Sequence, residues 1–381
     1  MSDFIKCQRS LFNIPEDIAY LNTAYISPLS SRVLSAIVHG SNLKAQPWKI
    51  SPKEHFFEHL ETVKSKFAKL FNVNSGNVAL IPSASYGIST AAKNIHIVPG
   101  MKIIVLRDQF PSNVYPWFDL VKKKGGEIKF VEDEKNCDIT STLVKAIDDK
   151  VAVVAVPNVR WTDGALINLY KIKEACKVFQ AKLILDLTQS AGALLTDLSM
   201  INPDFAIIAN YKWMLGPYST GFMYVNDAFL DGVPLEQTWS GRRGSEDFSS
   251  LTDYQFEYQT GANRFDMGER ANFSLLPGIE ASLDQLSEWG ISNIQHTLQK
   301  NSNMLFEKLE ELGLFTLNEV KRSPHFVSVR LPGSNGQEIL SKLANQKIYI
   351  SERSGYLRIT PHLWNNNDDF SRLLETLKRV I

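Results

Sequence analysis

Short apolar runs alternate with helical patterns from about residue 55 onward, and this alternation constrains the fold more than any other feature of the chain. It is typical of a parallel, doubly wound α/β sheet, because each parallel strand needs a crossover connection. The last apolar run follows a Gly/Pro turn without a helix, which favours an antiparallel orientation for it. We predict seven strands: Val78–Ile81, Lys102–Leu106, Glu127–Val131, Val151–Val156, Leu183–Asp186, Phe205–Ala209 and Gly221–Val225.

A second, smaller α/β unit is expected towards the end of the chain. The pattern after Pro277 predicts one long helical stretch, which begins at Ile279–Glu288 and continues through Gln295–Leu312, and then two strands near Phe326–Arg330 and Tyr356–Ile359. With 381 residues, the chain is long enough for two domains. We expect a large domain over residues 21–260 and a small domain formed by residues 1–20 and 261–381.

Composition argues against several classes of partner. Lys plus Arg equals Asp plus Glu at 41 each, so no overall field favours nucleic acid or an anionic membrane. Cys7, Cys137 and Cys176 lie far apart, so we expect neither a disulfide framework nor a metal site. The N-terminus lacks the apolar core of a signal peptide, and no run of about 18 apolar residues occurs. We therefore expect a cytoplasmic protein.

Two charged side chains follow two of the predicted strands directly. Asp186 closes the run Leu183–Leu185, and Lys212 follows the run at 205–209. Both would emerge at the carboxyl ends of buried strands, where open α/β sheets bind ligands. A carboxylate and an amine at one edge suit pyridoxal 5'-phosphate, which needs a lysine for its Schiff base and an anion beside its ring nitrogen.

Each of these residues also has an ordinary structural interpretation. Asp186 could be a helix N-cap or a turn residue, and a lone lysine is usually a solvated surface group. Lys212, however, lies between Tyr211 and Trp213 and precedes Met-Leu-Gly-Pro. Surface lysines rarely have such apolar and aromatic neighbours, so we favour the cofactor interpretation.

At this point the chain resembles a known family. The run DLTQSAGALLTDLSMINPDF, followed by NYKW and GPYSTGFMYV, resembles the cofactor-binding core of class V aminotransferases. Similar motifs extend from Tyr20–Ala24 to Leu357–His362. The family comprises fold-type I pyridoxal-phosphate enzymes and includes cysteine desulfurases, kynureninases and isopenicillin-N-epimerase-like proteins. The resemblance implies a large domain with a mostly parallel seven-stranded sheet flanked by helices, plus a smaller C-terminal α/β domain.

The resemblance also implies where the cofactor phosphate binds. Ala84 and Ser85 lie in a turn of small residues between a strand and a helix predicted at Ile88–Ile95. A helix N-terminus favours a phosphate, although Ser85 could equally be a plain N-cap. Tyr211 matches the position at which kynureninases place a phosphate-binding tyrosine.

Four further positions are implied to contact the cofactor ring. Phe110, in an FPS pattern similar to that of kynureninase, would stack on the ring, although an ordinary core phenylalanine is the alternative. Asp186 would hold the ring nitrogen, and Gln189 would bond the phenolic oxygen. In the segment 157–164, either Asn158 or Trp161 could match the family asparagine, and we assign Asn158 to the cofactor.

The substrate is implied to bind through Arg358, which matches the family residue that clamps an amino-acid α-carboxylate. A structural ion pair is the alternative for this arginine. Asn22 and Tyr25, in the matching N-terminal motif, are weaker candidates for the substrate pocket. The segment 261–269 resembles the family segment that reaches the other subunit's cofactor, so a homodimer is expected.

These assignments predict a pyridoxal-phosphate-dependent enzyme acting on an amino acid. We expect an aminotransferase in which Lys212 forms the Schiff base and deprotonates Cα. A carbon-sulfur β-lyase, an epimerase and a kynureninase-like hydrolase are the alternative enzymes, and a cofactor-free scaffold is the alternative outside enzymes. Because residues 350–356 contain no cysteine, we do not expect a persulfide-forming cysteine desulfurase.

Overall fold

The computed structural model describes residues 4–133, 138–314, 317, 321–331 and 336–380. Cys137 lies outside the described residues. Twelve strands are present in the described ranges, numbered β1 to β12 in chain order: Ala19–Tyr20, Val78–Ile81, Lys102–Leu106, Glu127–Val131, Val151–Pro157, Lys182–Asp186, Phe205–Ala209, Gly221–Val225, Val327–Arg330, Ile348–Tyr349, Ser351–Arg353 and Tyr356–Ile359.

Eleven α-helices occur in the same part of the chain, and none of them is long and apolar enough to cross a bilayer. They are numbered α1 to α11: Ser31–Lys44, His59–Phe71, Ala84–Asn94, Tyr115–Lys124, Ile139–Ala146, Leu169–Phe179, Leu198–Ile201, Leu276–Trp289, Ile291–Glu311, Gly336–Asn345 and Asn367–Val380.

The large sheet contains the seven strands that the sequence predicts. Its order is β2-β8-β7-β6-β5-β3-β4, and β8 pairs antiparallel with both β2 and β7, whereas the other pairs are parallel. The predicted mostly parallel α/β sheet, including its one antiparallel strand, is confirmed. Strands β6 and β7 are neighbours, with Asp186 beside Ile207. Their carboxyl ends therefore open onto the same edge.

Helices cover both faces of this sheet, as the continuous apolar strands require. Ile88 of α3 and Trp117 of α4 pack in the core on one face. Phe67 of α2, Ile172 of α6 and Leu283 of α8 pack in the core on the other. The sheet is consequently a rigid platform, and the loops that follow its strands carry the polar side chains.

The smaller unit has its own core. Its three-stranded antiparallel sheet has the order β11-β12-β9, and β1 pairs with β10 alongside it. Ala19 and Leu21, near the start of the chain, share this core with Leu305 and Phe370. The predicted domain division between residues 260 and 261 stays a prediction, and α8 packs in the core of the large sheet rather than in this one.

Gly192 fixes the position of the loop that follows β7. Its φ is +93°, and a Cβ placed on it would lie 2.2 Å from the Trp213 carbonyl oxygen. Backbone oxygen atoms cannot move aside as the end of a flexible side chain can. The close approach of these two loops therefore depends on glycine, and it holds the residue next to Lys212 in place.

We expect Gly192→Ala to lower the free energy of unfolding by at least about 3 kcal/mol, because the added Cβ combines a left-handed backbone with a backbone clash. Gly244→Ala is the matched control, since Gly244 has φ +76° but nothing within 4 Å of its Cβ position. It should lose only about 1 kcal/mol. Urea unfolding of both variants tests this, and equal losses would contradict it.

Candidate active site

A cavity of about 260 Å³ lies at the carboxyl edge of β6 and β7. The structure brings together seven of the eight residues assigned from sequence to the cofactor, all of which line this cavity: Ala84, Ser85, Phe110, Asp186, Gln189, Tyr211 and Lys212. The shared cavity follows from the sheet, because the loops after neighbouring parallel strands meet at one edge.

Asn158 is the exception. Its neighbours Pro157 and Val159 line the cavity, whereas its own amide donates a hydrogen bond to the Ile167 carbonyl at 3.0 Å. Trp161 lines the cavity, and its indole is held by a 2.6 Å hydrogen bond to the Asp108 carbonyl. Of the two residues left open by the sequence, Trp161 rather than Asn158 lines the cavity, and the contact with the cofactor stays a prediction.

One end of the cavity is formed by the start of α3. This helix begins at Ala84, not at Ile88, because the Ser83 hydroxyl caps it by accepting from the Tyr86 N–H at 3.2 Å. The Ser83 and Ser85 hydroxyls lie 2.9 Å apart. The N-cap is thus Ser83, and the first-turn N–H groups and both hydroxyls suit a phosphate.

Aromatic rings form the wall around the lysine. The Lys212 Nζ lies 5.5 Å from the ring centroids of both Phe110 and Tyr211. Trp161 meets Phe110 edge to face, with the centroids 5.4 Å apart. Flat rings at this position can hold a planar cofactor between them and the sheet edge.

The pKa values of Asp186 and Lys212 are both shifted from their ordinary values. Burial raises the pKa of Asp186, while hydrogen bonds from Thr188 and the charge of Lys212 oppose that shift. Burial also lowers the pKa of Lys212 to about 8; Asp186 opposes this change and the nearby charges of Arg358 and Arg353 reinforce it. Lys212 is only 8% exposed. Its amine is therefore neutral, and nucleophilic, far more often than a solvated lysine at the same pH.

Gln189 is held from three directions. Its side-chain Nε2 donates to the Ala24 carbonyl at 3.0 Å, and its Oε1 accepts from the Trp213 indole at 2.9 Å. His325 Nε2 contacts its backbone carbonyl at 2.7 Å. The amide reaches the cavity in one defined orientation.

A second cavity, of about 350 Å³, adjoins the first, and five residues line both: Phe110, Trp161, Tyr211, Lys212 and Tyr218. Arg358 lines this cavity and is 1% exposed. Its guanidinium donates to the Ser351 hydroxyl at 3.0 and 2.8 Å and to the Trp161 carbonyl at 2.8 Å. Among the described residues, no carboxylate forms a salt bridge with Arg358. The alternative interpretation of Arg358 as half of a structural ion pair is therefore not supported.

The environment of Arg358 carries an unbalanced charge. Burial, followed by the charge of Arg353, lowers the pKa of Arg358 to about 9, and the charge of Glu352 opposes this shift only in part. A buried guanidinium without an anion is unfavourable, and a bound carboxylate would relieve this. The geometry therefore provides an anion site beside Lys212.

The N-terminal motif supports this anion site. Ser351 donates its hydroxyl hydrogen to Asn22 Oδ1 at 2.8 Å, which leaves the Ser351 oxygen to accept from Arg358. Tyr25 lines the cavity and is 56% exposed. Sequence reasoning missed Ser351 and Arg353, and the signal for Ser351 was its place opposite Arg358 in the β11–β12 hairpin.

The segment 261–269 packs on its own chain. Asp266 accepts from Lys64 at 2.8 Å, from Arg270 at 2.6 Å and from the Leu80 N–H of β2 at 2.7 Å. This charged cluster is buried and ties the segment to the edge strand that leads into the phosphate end of the cavity. Its contribution to another subunit stays a prediction.

The arrangement fits pyridoxal phosphate on the chemistry of its groups. A cavity with a buried carboxyl, a partly deprotonated amine, an aromatic wall and a helix N-terminus offers one group for each polar part of the cofactor. The profile of the family described as aminotransferase class-V matches residues 19–358 of the chain. The chain belongs to the class V aminotransferase family. This membership confirms the predicted family and its cofactor, pyridoxal phosphate.

Several class V relatives are similar along most of the chain. An uncharacterized aminotransferase of Schizosaccharomyces pombe is 24% identical, with 96% of this chain and 92% of that protein covered. A probable cysteine desulfurase of Methanothermobacter thermautotrophicus is 23% identical, with 84% and 83% covered.

Solved structures share the fold. A mutant of C-DES with glycine covalently linked to its PLP cofactor superposes with a TM-score of 0.89 at 20% identity, covering 97% of this chain and 99% of that one. The apo cysteine desulfurase of Thermococcus onnurineus superposes with a TM-score of 0.83 at 17% identity, covering 100% and 99%.

One sequence expectation is wrong. We did not expect a persulfide-forming cysteine desulfurase, but relatives and structural neighbours carry that name. Another neighbour is the cystine C-S lyase C-DES in complex with its reaction product cysteine persulfide. A persulfide can thus leave as a small product, without a protein cysteine to carry it. The lack of a cysteine at 350–356 therefore does not separate this chain from persulfide-forming enzymes.

The lowered pKa of Lys212 gives a pH dependence. In cofactor-free protein, we expect the rate at which pyridoxal phosphate combines with Lys212 to rise with pH, with a midpoint near pH 8, because only the neutral amine attacks the aldehyde. Asp186→Asn should move the midpoint lower, since it removes an anion that stabilises the ammonium form. Stopped-flow absorption measures both, and Lys212→Ala should remove the reaction. A midpoint above pH 10 would contradict the expectation.

Proposed function

We propose that this protein is an aminotransferase that uses pyridoxal phosphate on α-amino acids with a free carboxylate. The observation that carries this proposal is the buried guanidinium of Arg358, which faces the cavity of Lys212 without a carboxylate partner among the described residues. Because an amino acid and the 2-oxo acid formed from it share the α-carboxylate, one clamp serves both halves of a transamination.

When bound, pyridoxal phosphate supplies an aldehyde that condenses with amines and a ring that delocalises the electrons released at Cα. The residues of the chain do the rest. Arg358 binds the carboxylate and thereby orients the Cα–H bond, and the Ser351 hydroxyl keeps the guanidinium in place. Lys212, with its lowered pKa, is suited to remove the Cα proton and to return it at another carbon.

The roles of the remaining residues follow from their positions. Asp186, buried at the base of the cavity, would balance a protonated ring nitrogen, and that cation would in turn favour its ionised form. Ala84, Ser85 and Tyr211 would bind the phosphate. Phe110 would lie against the ring.

A carbon-sulfur β-lyase is the second candidate, and a specific observation favours it. Apart from Lys212, the residues that line both cavities are aromatic: Phe110, Trp161, Tyr211 and Tyr218. Sulfur makes favourable contacts with aromatic rings, so a cysteine-derived side chain would pack well here. The similarity to C-DES supports the same candidate.

We also propose that the protein acts as a homodimer in the cytoplasm. Exposed aromatic side chains support an interface: Trp48, Tyr254 and Phe256 are 79%, 81% and 87% exposed. Trp, Tyr and Phe are enriched at protein–protein interfaces relative to the rest of the protein surface. Cys7 and Cys176 are free thiols, which agrees with a reducing compartment.

If Arg358 binds the substrate carboxylate, its replacement should lower kcat/KM selectively for substrates that carry a carboxylate. We expect Arg358→Met to reduce kcat/KM for amino acids by roughly 100- to 1,000-fold, which corresponds to about 3–4 kcal/mol for a buried charge contact. The matched control is the substrate's decarboxylated amine, whose slow reaction should change little. Steady-state kinetics with both compounds checks this, and an equal loss for both would show that Arg358 does not bind the carboxylate.

The reaction type is decided by the products. With an amino acid and no 2-oxo acid, a transaminase should convert its cofactor once to the amine form and stop, whereas a β-lyase should release pyruvate and ammonia continuously from cystine. Absorption spectra and pyruvate assays on a panel of amino acids distinguish the two. Continuous release of pyruvate with ammonia, beyond one equivalent per site and without an acceptor, would overturn the aminotransferase proposal in favour of the lyase.

A further inference from the structure

Behind the cavity lies a buried aromatic cluster that the chemistry described above does not use. It contains Trp213, His325, His362 and Trp364, each of them fully buried. Trp213 and His325 meet edge to face at 4.4 Å, and His362 stacks on Trp364 at 4.8 Å. Trp213 follows Lys212 directly, whereas His325 and His362 come from the smaller unit. The cluster therefore joins the two units next to the cofactor site.

The proton of His325 has a defined position. Its Nε2 lies 2.7 Å from the Gln189 carbonyl oxygen, which can only accept a hydrogen bond. Nε2 must therefore carry the hydrogen and donate it. Burial lowers the pKa of His325 to about 4, so the ring is neutral near pH 7 and this is its single ring proton. The imidazole is thus a fixed donor rather than a titrating group.

The orientation of the Gln189 side chain is fixed by two opposite partners. The Trp213 indole can only donate, so the amide atom that faces it is the oxygen. The Ala24 carbonyl can only accept, so the atom that faces it is the nitrogen. Flipping the amide would break both hydrogen bonds. One Nε2 hydrogen is used by Ala24, and the second stays available on the side chain that lines the cavity.

We propose that His325 is a positioning residue that acts through Gln189. Its hydrogen bond to the Gln189 backbone and its edge contact with Trp213 hold the Gln189 main chain and the indole that supports the amide, so that the second Nε2 hydrogen is presented to the phenolic oxygen of pyridoxal phosphate. This inference rests on the proposed function, because it requires Gln189 to contact the bound cofactor. A donor there stabilises the anionic form of the phenolic oxygen.

Two substitutions separate the donor from the ring. His325→Phe keeps an aromatic edge against Trp213 but removes the N–H, whereas His325→Gln restores a side-chain N–H donor and removes the ring. In the purified holoenzyme, we expect His325→Phe to reduce the phenolate fraction in the absorption spectrum of the bound cofactor and to lower kcat/KM by roughly 3- to 10-fold. His325→Gln should recover part of both changes.

A double-mutant cycle with Gln189→Ala tests whether His325 acts through Gln189. In the Gln189→Ala background, His325→Phe should cause no further spectral change. An unchanged spectrum in His325→Phe alone, or an equal change in both backgrounds, would overturn the inference. Thermal unfolding reports whether each variant is folded. If His325→Phe does not fold, His325→Leu, which also removes the N–H donor, takes its place in the cycle with the same criteria.

The outcomes also separate this inference from the proposed function. Wild-type protein that takes up no pyridoxal phosphate would overturn both. Wild-type protein that binds the cofactor and acts on amino acids, while His325→Phe retains its spectrum and kcat/KM, would overturn the inference alone.

Discussion

The site depends on holding positive charge away from water. Lys212 and Arg358 are both nearly inaccessible to solvent and face connected cavities, and the charge of Arg358 lowers the pKa of Lys212. Such an arrangement is unfavourable for a protein that binds no anion. Asp186 compensates part of this charge beside Lys212. A substrate carboxylate would compensate the charge of Arg358. Arg358 lacks an anionic partner among the described residues, and this favours a ligand that carries a carboxylate.

The sheet determines where the polar side chains of the site can lie. Apolar strands force helices onto both faces, which leaves only the edges for polar side chains. The loops after β6 and β7 meet at one edge, and Gly192 lets them approach more closely than any other residue would permit. The smaller unit then closes over this edge and brings Arg358. Packing thus converts groups that are remote in sequence into one site.

Much of this was predictable from sequence, for identifiable reasons. The strands were predictable because short apolar runs that alternate with helical patterns are typical of buried strands. Asp186 and Lys212 were then identified because they lie at or just after the ends of two of these runs. The choice between Asn158 and Trp161 was not, because neighbouring loop residues point in directions that only tertiary contacts decide. Ser83 was missed as the cap, since several small residues in that turn could serve. Ser351 depended on the register of a hairpin. The exclusion of persulfide chemistry failed because it assumed that sulfur must be carried by the protein.

The bridge from Asn22 through Ser351 to Arg358 joins residues that are more than 300 positions apart. The residues that line the first cavity around Lys212, by contrast, all lie between positions 82 and 219. During synthesis, the part that holds the cofactor would leave the ribosome well before the part that clamps the substrate. The lining of the Lys212 cavity is thus synthesised first, and only the docking of the final strands completes the anion site beside it.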